Sequence, residues 1–153
     1  MNQRKKNKLH EFFMDTAIGL SQQSNCVSKQ VGAVIVKDDR IISIGYNGSP
    51  SGFTNCSDVF DKNDFNRNEH HEWSNIYEIH AEMNAVLYAA KNGIAIDDCE
   101  MYVTLKPCDQ CLKNLIHSGI TTIYYLNEYD MVCEDNDLYR FIKNKINVIK
   151  FEK

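Results

Sequence analysis

Hydrophobic and polar positions change their period several times along the chain, and each period predicts a type of element. Apolar residues follow one helical stripe between residues 9 and 24. Two β-rich runs at 31–37 and 40–46 flank a short polar stretch and predict a hairpin. Beyond them the pattern predicts helices at 80–92, 108–119 and 135–145, and strands at 100–105, 120–126 and 146–151.

Residues 48–77 show little hydrophobic period and are rich in polar residues, with Gly and Pro among them. An irregular segment of that length is uncommon inside a compact domain unless something holds it. Around it, the alternation of helices and strands favours a sheet covered by helices on both faces. We therefore expect an α/β fold in a single domain spanning residues 1–153, with an insert at about 48–78.

Composition and charge narrow the function classes. A chain of 153 residues can build one ordinary core, and a net charge of −4 argues against a basic nucleic-acid-binding surface. No apolar run is long enough to span a membrane, and the lysine-rich start is not followed by an apolar signal core. We expect a cytoplasmic protein (host cytoplasm if viral), whose six cysteines serve as reduced thiols, metal ligands or nucleophiles.

The stretch EIHAEMNAVLYAAKNG, residues 78–93, has the spacing of an amphipathic helix, yet it begins with Glu78, His80 and Glu82. The positive end of the helix dipole favours acids, which accounts for a glutamate. It does not account for a histidine, whose cation is disfavoured there. Taken alone, these residues are most simply a capped and solvated helix start.

A second motif, LKPCDQC at 105–111, changes that interpretation. Cys108 and Cys111 are spaced to point from the first turn of one helix, where thiol pKa values fall and zinc is readily bound. A redox pair is the alternative, but a thioredoxin-like context is absent. With His80 they supply three zinc ligands and leave the fourth position for water, so Glu82 would shuttle protons as catalytic residue. H-x-E with P-C-x-x-C is the signature of zinc nucleobase deaminases.

At these residues the chain resembles the cytidine deaminase superfamily, and more closely the deoxycytidylate (dCMP) deaminases of the phage-type branch. The similarity runs through CVSKQVGAVIVKDDRIISIGYNGSPSG, EWSNIYEIHAEMNAVLYAAKNG and MYVTLKPCDQCLKNLIHSGITTIYY. It implies a three-layer αβα sandwich with a five-stranded mixed sheet and a homohexamer. It also implies zinc-dependent hydrolysis of dCMP to dUMP and ammonia, which supplies dUMP for dTMP synthesis, with Glu82 passing a proton to cytosine N3 and then to the departing amine.

Substrate contacts follow from the same resemblance. It implies Asn47 for the deoxyribose, backbone at Ala81 and around Thr104–Pro107 for the base, and Tyr129 near the 5′-phosphate. Many members of the family carry an arginine just before the first strand that helps to hold this phosphate. That arginine is absent here, and Ser24 and Lys29 are the polar groups available in its place.

The segment GYNGSPSG at 45–52 is a narrower mark of dCMP deaminases. The resemblance implies an allosteric site near a subunit interface, where dCTP activates and dTTP inhibits, each bound with Mg²⁺ at Gly45, Tyr46, Asn47 and Gly48. Glycine-rich backbone can bring N–H groups close to phosphates. An ordinary turn would explain Asn47-Gly48 equally well.

The remaining cysteines raise the question of a second metal. Cys26 precedes the first strand, Cys56 lies in the insert, and His70 and His71 stand shortly before Glu78. Two cysteines, a histidine and a carboxylate suffice for a structural zinc site, which would keep the insert ordered. The alternative is two free thiols and a solvated histidine pair. The phage-type resemblance implies the set Cys26, Cys56, His70 and Glu78, with His71 as an alternative to His70; Cys99 and Cys133 are expected as small apolar residues.

Three other functions share part of this pattern. A tRNA adenosine or guanine deaminase has both zinc motifs, but its basic RNA surface does not agree with a pI near 5.7. A free-cytidine deaminase normally uses three cysteines, whereas the first ligand here is His80. A zinc-stabilised binding module needs a closed four-ligand site, and no fourth ligand stands near the P-C-x-x-C.

Overall fold

The computed structural model describes residues 2–129 and 136–152. These residues form six helices and five strands. In chain order they are α1 (Gln3–Ser21), β1 (Gly32–Lys37), β2 (Arg40–Tyr46), α2 (Cys56–Val59), α3 (Arg67–Tyr77), α4 (Ala81–Lys91), β3 (Cys99–Leu105), α5 (Asp109–Leu115), β4 (Ile120–Asn127), α6 (Asp137–Lys143) and β5 (Asn147–Lys150). The predicted hairpin and the later alternation of helices and strands are confirmed.

The five strands form one mixed sheet in the order β2-β1-β3-β4-β5. β1 is antiparallel to both β2 and β3, whereas β3, β4 and β5 run parallel. Parallel neighbours need crossover connections, and α5 and α6 supply them. The helices α4 and α5 both contribute to the apolar cluster on the same face of the sheet.

Helices cover both faces of this sheet. Ala33 and Ile35 of β1 belong to one apolar cluster and Val34 and Val36 to the other, because successive side chains point to opposite faces. The helix α1 covers one face, and α4, α5 and α6 contribute to the other. The αβα sandwich is confirmed. The expected apolar role of Cys99 agrees with its complete burial, while Cys133 lies outside the described residues.

The first helix is longer at its start than the apolar stripe indicates. It begins at Gln3 because the Asn2 side chain caps it, accepting a hydrogen bond from the Lys5 N–H at 2.9 Å. It ends at Ser21, before the predicted limit at residue 24. Neither α1 nor any other helix of the described residues is both long and apolar enough to cross a membrane.

The insert is not irregular throughout, contrary to the sequence-based expectation. It contains the short helix α2 and the longer α3, which is capped by Asn66. Its apolar contacts are made by aromatic rings, such as Phe60 against Trp73 and Phe53 stacked on Tyr77. These rings pack locally around α3 and form no long stripe, so a periodicity argument does not detect the helix.

Candidate active site and metal centres

His80 is the N-cap of α4, in extended backbone conformation, and the helix proper begins at Ala81. Glu78 does not belong to the start of this helix, since it ends α3 as its C-cap. The first turn of α4 is packed tightly on β2: a Cβ on Gly45 would lie 2.4 Å from the Ala81 carbonyl oxygen and 2.6 Å from the Ala85 nitrogen. The sheet thus fixes the backbone that follows His80.

The other helix start places two thiols beside His80. Cys108 is the N-cap of α5, and Cys111 lies in its first turn. His80 Nδ1 is 3.3 Å from Cys111 Sγ and 3.6 Å from Cys108 Sγ. Zn–S and Zn–N bonds of about 2.3 and 2.0 Å at a tetrahedral ion separate N and S by roughly 3.5 Å. We call these three residues the helix-start cluster; their spacing fits one zinc ion.

The electrostatics of the helix-start cluster also favour a cation. The hydrogen bond from the Cys111 thiol lowers the pKa of Cys108 to about 4, so Cys108 is a thiolate at neutral pH. The same shared proton raises the pKa of Cys111. The hydrogen bond to Cys108 raises the pKa of the His80 imidazole. Two sulfur donors and one nitrogen donor are a ligand set that suits zinc.

Glu82 lies beside this cluster and is not part of the ligand set. Only 4% of the residue is exposed, and burial raises the pKa of its carboxyl above the ordinary value. The neighbouring His80 and Cys111 lower this pKa, but burial is the larger effect. A carboxyl group that holds its proton to higher pH is suited to proton transfer near neutrality. The geometry therefore agrees with the role predicted for Glu82.

A second group of donors joins the insert to the chain before β1. Cys26 Sγ lies 3.5 Å from His70 Nε2 and 3.6 Å from Glu78 Oε1, and Cys56 completes a set within 4.8 Å. We call these four residues the insert cluster. The neighbouring His71 is exposed and contacts Asn75, so the structure brings His70 and not His71 to the cluster.

The insert cluster fits a bound metal better than a hydrogen-bonded network. His70 Nε2 and Glu78 Oε1 are 3.6 Å apart, beyond hydrogen-bond range but close to the roughly 3.4 Å expected between N and O ligands of zinc. The second oxygen of Glu78 is buried and has no hydrogen-bond partner among the described residues. Burying a carboxylate in this way is costly unless a cation compensates it. The Val27 N–H donates to Cys56 Sγ, as expected for a thiolate ligand.

The sequence analysis did not identify the shell of aromatic side chains that surrounds His70. The rings of Phe60 and Phe65 stand nearly edge-on to its imidazole, at centroid distances of 5.2 and 5.5 Å. Trp73 continues this shell. Such surroundings orient a ligand ring and limit access of water. The aromatic residues of the insert are visible in the sequence, but only the three-dimensional structure shows that they pack around His70.

Two predicted substrate residues are engaged in holding the chain together. Asn47 Oδ1 accepts from the Val31 N–H at 2.9 Å, and its Nδ2 donates to the Lys29 carbonyl at 2.7 Å. The buried Ser24 hydroxyl donates to the Asn47 carbonyl and accepts from the Cys26 N–H. The Ser24 hydroxyl therefore has no further hydrogen to donate to a phosphate, and its role at the substrate stays a prediction. Asn47 retains one amide hydrogen and one lone pair.

Of the other predicted substrate residues, Thr104 and Tyr129 lie where β3 and β4 end, and Ala81 begins α4. Ala81 is fully buried, and the buried Thr104 hydroxyl accepts from the Gly32 N–H at 3.2 Å. Lys29 Nζ lies over the ring of Tyr129, 5.7 Å from its centroid. Lys29 and Thr104 both line a cleft of about 390 Å³. The structure thus brings a cation and an aromatic ring to the region where the phosphate was expected.

The backbone of the proposed effector segment, residues 45–48, is only partly available to bind a nucleotide. Gly45 and Tyr46 belong to β2, and Tyr46 is 41% exposed. The Asn47 N–H donates to the Val31 carbonyl and the Gly48 N–H to the Ile79 carbonyl. These two N–H groups are therefore not available to a phosphate, and the allosteric site at this segment stays a prediction.

Comparisons with known proteins agree with this geometry. The family model described as cytidine and deoxycytidylate deaminase zinc-binding region matches residues 7–127. The deoxycytidylate deaminases of Enterobacteria phages T2 and T4 are each 42% identical, over 72% of this chain and 76% and 74% of theirs. The dCMP deaminase of cyanophage S-TIM5, in complex with dCMP and dUMP, is 34% identical with a TM-score of 0.75 and covers 99% of both chains.

Proposed function

Because the chain belongs to the cytidine and deoxycytidylate deaminase family, we propose that it catalyses the zinc-dependent hydrolytic deamination of dCMP to dUMP and ammonia. The observation that carries this proposal is the helix-start cluster with the buried Glu82 beside it. The choice of dCMP is supported by the phage deaminases that resemble the chain over most of its length. The reaction would supply dUMP for dTMP synthesis in the cytoplasm, or in the host cytoplasm if the gene is viral.

His80, Cys108 and Cys111 would hold the zinc ion, which supplies a water nucleophile of lowered pKa when bound. Glu82 would take a proton from the attacking water and deliver it to N3 of cytosine. It would then take the second proton of the former water from the hydroxyl group on C4 and pass it to the exocyclic amine, so that the C4 carbonyl forms and ammonia leaves. The burial of Glu82 supports this role, because desolvation raises the pKa of its carboxyl above the ordinary value and so makes it a better proton acceptor.

Incubation with dCMP, cytidine and a tRNA in parallel tests the substrate. We expect ammonia and dUMP from dCMP, and much slower release from the other two. Ammonia from the tRNA alone would contradict the proposal and favour the RNA-deaminase interpretation. The formation of uridine from cytidine at the rate seen with dCMP would show that the 5′-phosphate is not read.

The insert cluster would hold a second, structural zinc within the single deaminase domain of residues 1–153. Its four ligands leave no open position, and the orphaned oxygen of Glu78 supports a cation there. Purified protein should contain about two zinc ions per chain, and Cys56→Ala should lose one of them. A count of one zinc in the wild-type protein would remove this part of the proposal.

Regulation would use the segment Gly45–Gly48, in a homohexamer that dCTP activates and dTTP inhibits, with Mg²⁺ on the triphosphate. The exposed ring of Tyr46 and the open space around Gly48 support a ligand at this place. Because Asn47 and Gly48 use their N–H groups internally, the phosphates would depend on Mg²⁺ and side chains. We expect a sigmoidal dCMP rate curve that dCTP makes hyperbolic, and a weaker dCTP effect in Tyr46→Ala.

Light scattering should give the mass of a hexamer under the same conditions. A monomeric protein, or a hyperbolic curve that neither triphosphate changes in the presence of Mg²⁺, would contradict the regulatory proposal. It would leave the deaminase assignment intact, because substrate turnover is measured separately.

A further inference from the structure

One short segment belongs to both donor clusters. Glu78 is part of the insert cluster and His80 of the helix-start cluster, and only Ile79 separates them. Both flanking residues have extended backbone conformation, with ψ values of 140° and 153°. A side chain in one cluster is therefore connected to a side chain in the other by a few backbone bonds.

The middle of this connector is fixed. The Ile79 N–H donates to the Gly48 carbonyl at 2.8 Å, and the Ile79 carbonyl accepts from the Gly48 N–H at 3.1 Å. This pair of bonds holds Ile79 against the chain that leaves β2. With Ile79 held on Gly48, few torsion angles remain free between the side chains of Glu78 and His80, so holding Glu78 restricts the orientation of His80.

The two sides of His80 are held by different parts of the molecule. On its C-terminal side, the His80 carbonyl accepts from the Asn84 N–H at 2.9 Å, and α4 is packed into the core. On its N-terminal side, the side chain of Glu78 contacts the other members of the insert cluster, Cys26, Cys56 and His70. The backbone N–H of Glu78 donates to Ser74 of α3, which is itself part of the insert.

We propose that Glu78 is a positioning residue, through which metal in the insert cluster orients His80 and couples the two metal sites. The inference rests on the proposed structural zinc. When that metal is bound, Glu78 is held, Ile79 stays on Gly48, and His80 Nδ1 faces the two thiols. Such coupling is reciprocal, so each metal strengthens the binding of the other by the same factor. Loss of a residue that orients a ligand typically weakens metal binding by about 10- to 100-fold.

The test compares His70→Ala with His71→Ala, two neighbours on α3 of which only His70 belongs to the insert cluster. Zinc is titrated in competition with a chelator of known affinity. We expect zinc at the helix-start cluster to bind about 10- to 100-fold more weakly in His70→Ala, and as in the wild type in His71→Ala. In the reverse experiment, Cys108→Ser should weaken zinc at the insert cluster by the same factor.

Zinc affinity should fall by the same factor at each cluster when the other cluster is mutated. General damage to the fold would give two unrelated factors. If His70→Ala does not fold, as judged by circular dichroism, Glu78→Gln with Glu72→Gln as its exposed control replaces that pair. Two zinc ions per chain with affinities that are independent of each other would overturn the coupling and leave the proposed function standing. A single zinc per chain in the wild type would overturn the second zinc and the coupling together.

Discussion

The helix-start cluster and the insert cluster use the same kinds of donor but are held in different ways. His80, Cys108 and Cys111 are caps or first-turn residues of helices that pack on the sheet. Cys26 lies before β1, Cys56 begins α2, and α3 carries the other two; the first and the last of these ligands are 52 positions apart. The packed core therefore positions the helix-start cluster, whereas the insert cluster itself helps to order the insert that carries it.

The difference in ligand number agrees with this division. Three donors and an adjacent acid leave room for chemistry, whereas four donors close a site. The pKa values point the same way. Cys108 is a thiolate at neutral pH, because its neighbour donates a hydrogen bond to it, while burial raises the pKa of Cys26 to about 12. Cys108 of the helix-start cluster is thus ionised before metal binds, whereas Cys26 of the insert cluster needs a bound metal to lose its proton.

The largest effect should follow from Cys56→Ala, which removes a ligand from the insert cluster. Structural zinc supplies about 10–16 kcal/mol of folding free energy in zinc-finger peptides, enough to dominate the ordering of a small insert. We expect one zinc to be lost and proteolytic cleavage between residues 48 and 77 to become fast. Mass spectrometry of the fragments, with zinc in excess, measures this.

Cys108→Ala is the matched control for that experiment. It should also lose one zinc, but the insert should keep its resistance to proteolysis, because α4 and α5 remain packed on the sheet. Equal protease sensitivity in the two variants would show that both clusters hold the fold in the same way, contrary to the comparison drawn above.

Glu82→Gln should abolish turnover without loss of metal. The substitution keeps the size of the side chain and removes the group that moves protons, and such groups contribute about 10² to 10⁴ in rate. Ammonia release from dCMP and the zinc count per chain are the two measurements. Glu72→Gln, on the exposed face of α3, serves as control. Near-normal turnover of Glu82→Gln would show that another group transfers the proton.

Thiol alkylation of the metal-free protein sharpens the electrostatic contrast. Because the pKa of Cys108 is lowered to about 4, it is already a thiolate throughout pH 6–8, and its rate should stay nearly constant. Burial raises the pKa of Cys26, so its small thiolate fraction should grow about tenfold per pH unit, or about 100-fold over this range. Peptide mapping after iodoacetamide treatment separates the two sites. Parallel pH profiles would contradict the contrast.

The smallest expected effect is the difference in the free energy of unfolding between alanine substitutions at Gly45 and at Gly48. In Gly45→Ala the new Cβ would meet the start of α4 at 2.4 Å, and such overpacking typically costs about 1–3 kcal/mol. In Gly48→Ala no atom lies within 4 Å, so the change in the free energy of unfolding should stay within about 0.5 kcal/mol. Urea unfolding measures both. An equally stable Gly45→Ala would mean that α4 can move away from β2 without cost.

The sheet, its hairpin and the helix-start cluster were predictable because their signals are local. Alternation and helical stripes are repeated every few residues, and H-A-E and P-C-x-x-C each place their donors within one turn of a helix start. The boundaries were less accurate. Glu78 was grouped with His80 because the two are close in sequence, although it ends the preceding helix.

By itself, the sequence indicated which residues form the helix-start cluster and that Glu82 stands beside it, because each motif has a short spacing and the two motifs together are a known signature. Only the tertiary structure decided that His70 and not His71 joins the insert cluster, and that Ser24 is hydrogen-bonded within the chain. These contacts join residues far apart in the chain. Their geometry depends on how separate elements pack, and such packing leaves no periodic pattern in the sequence.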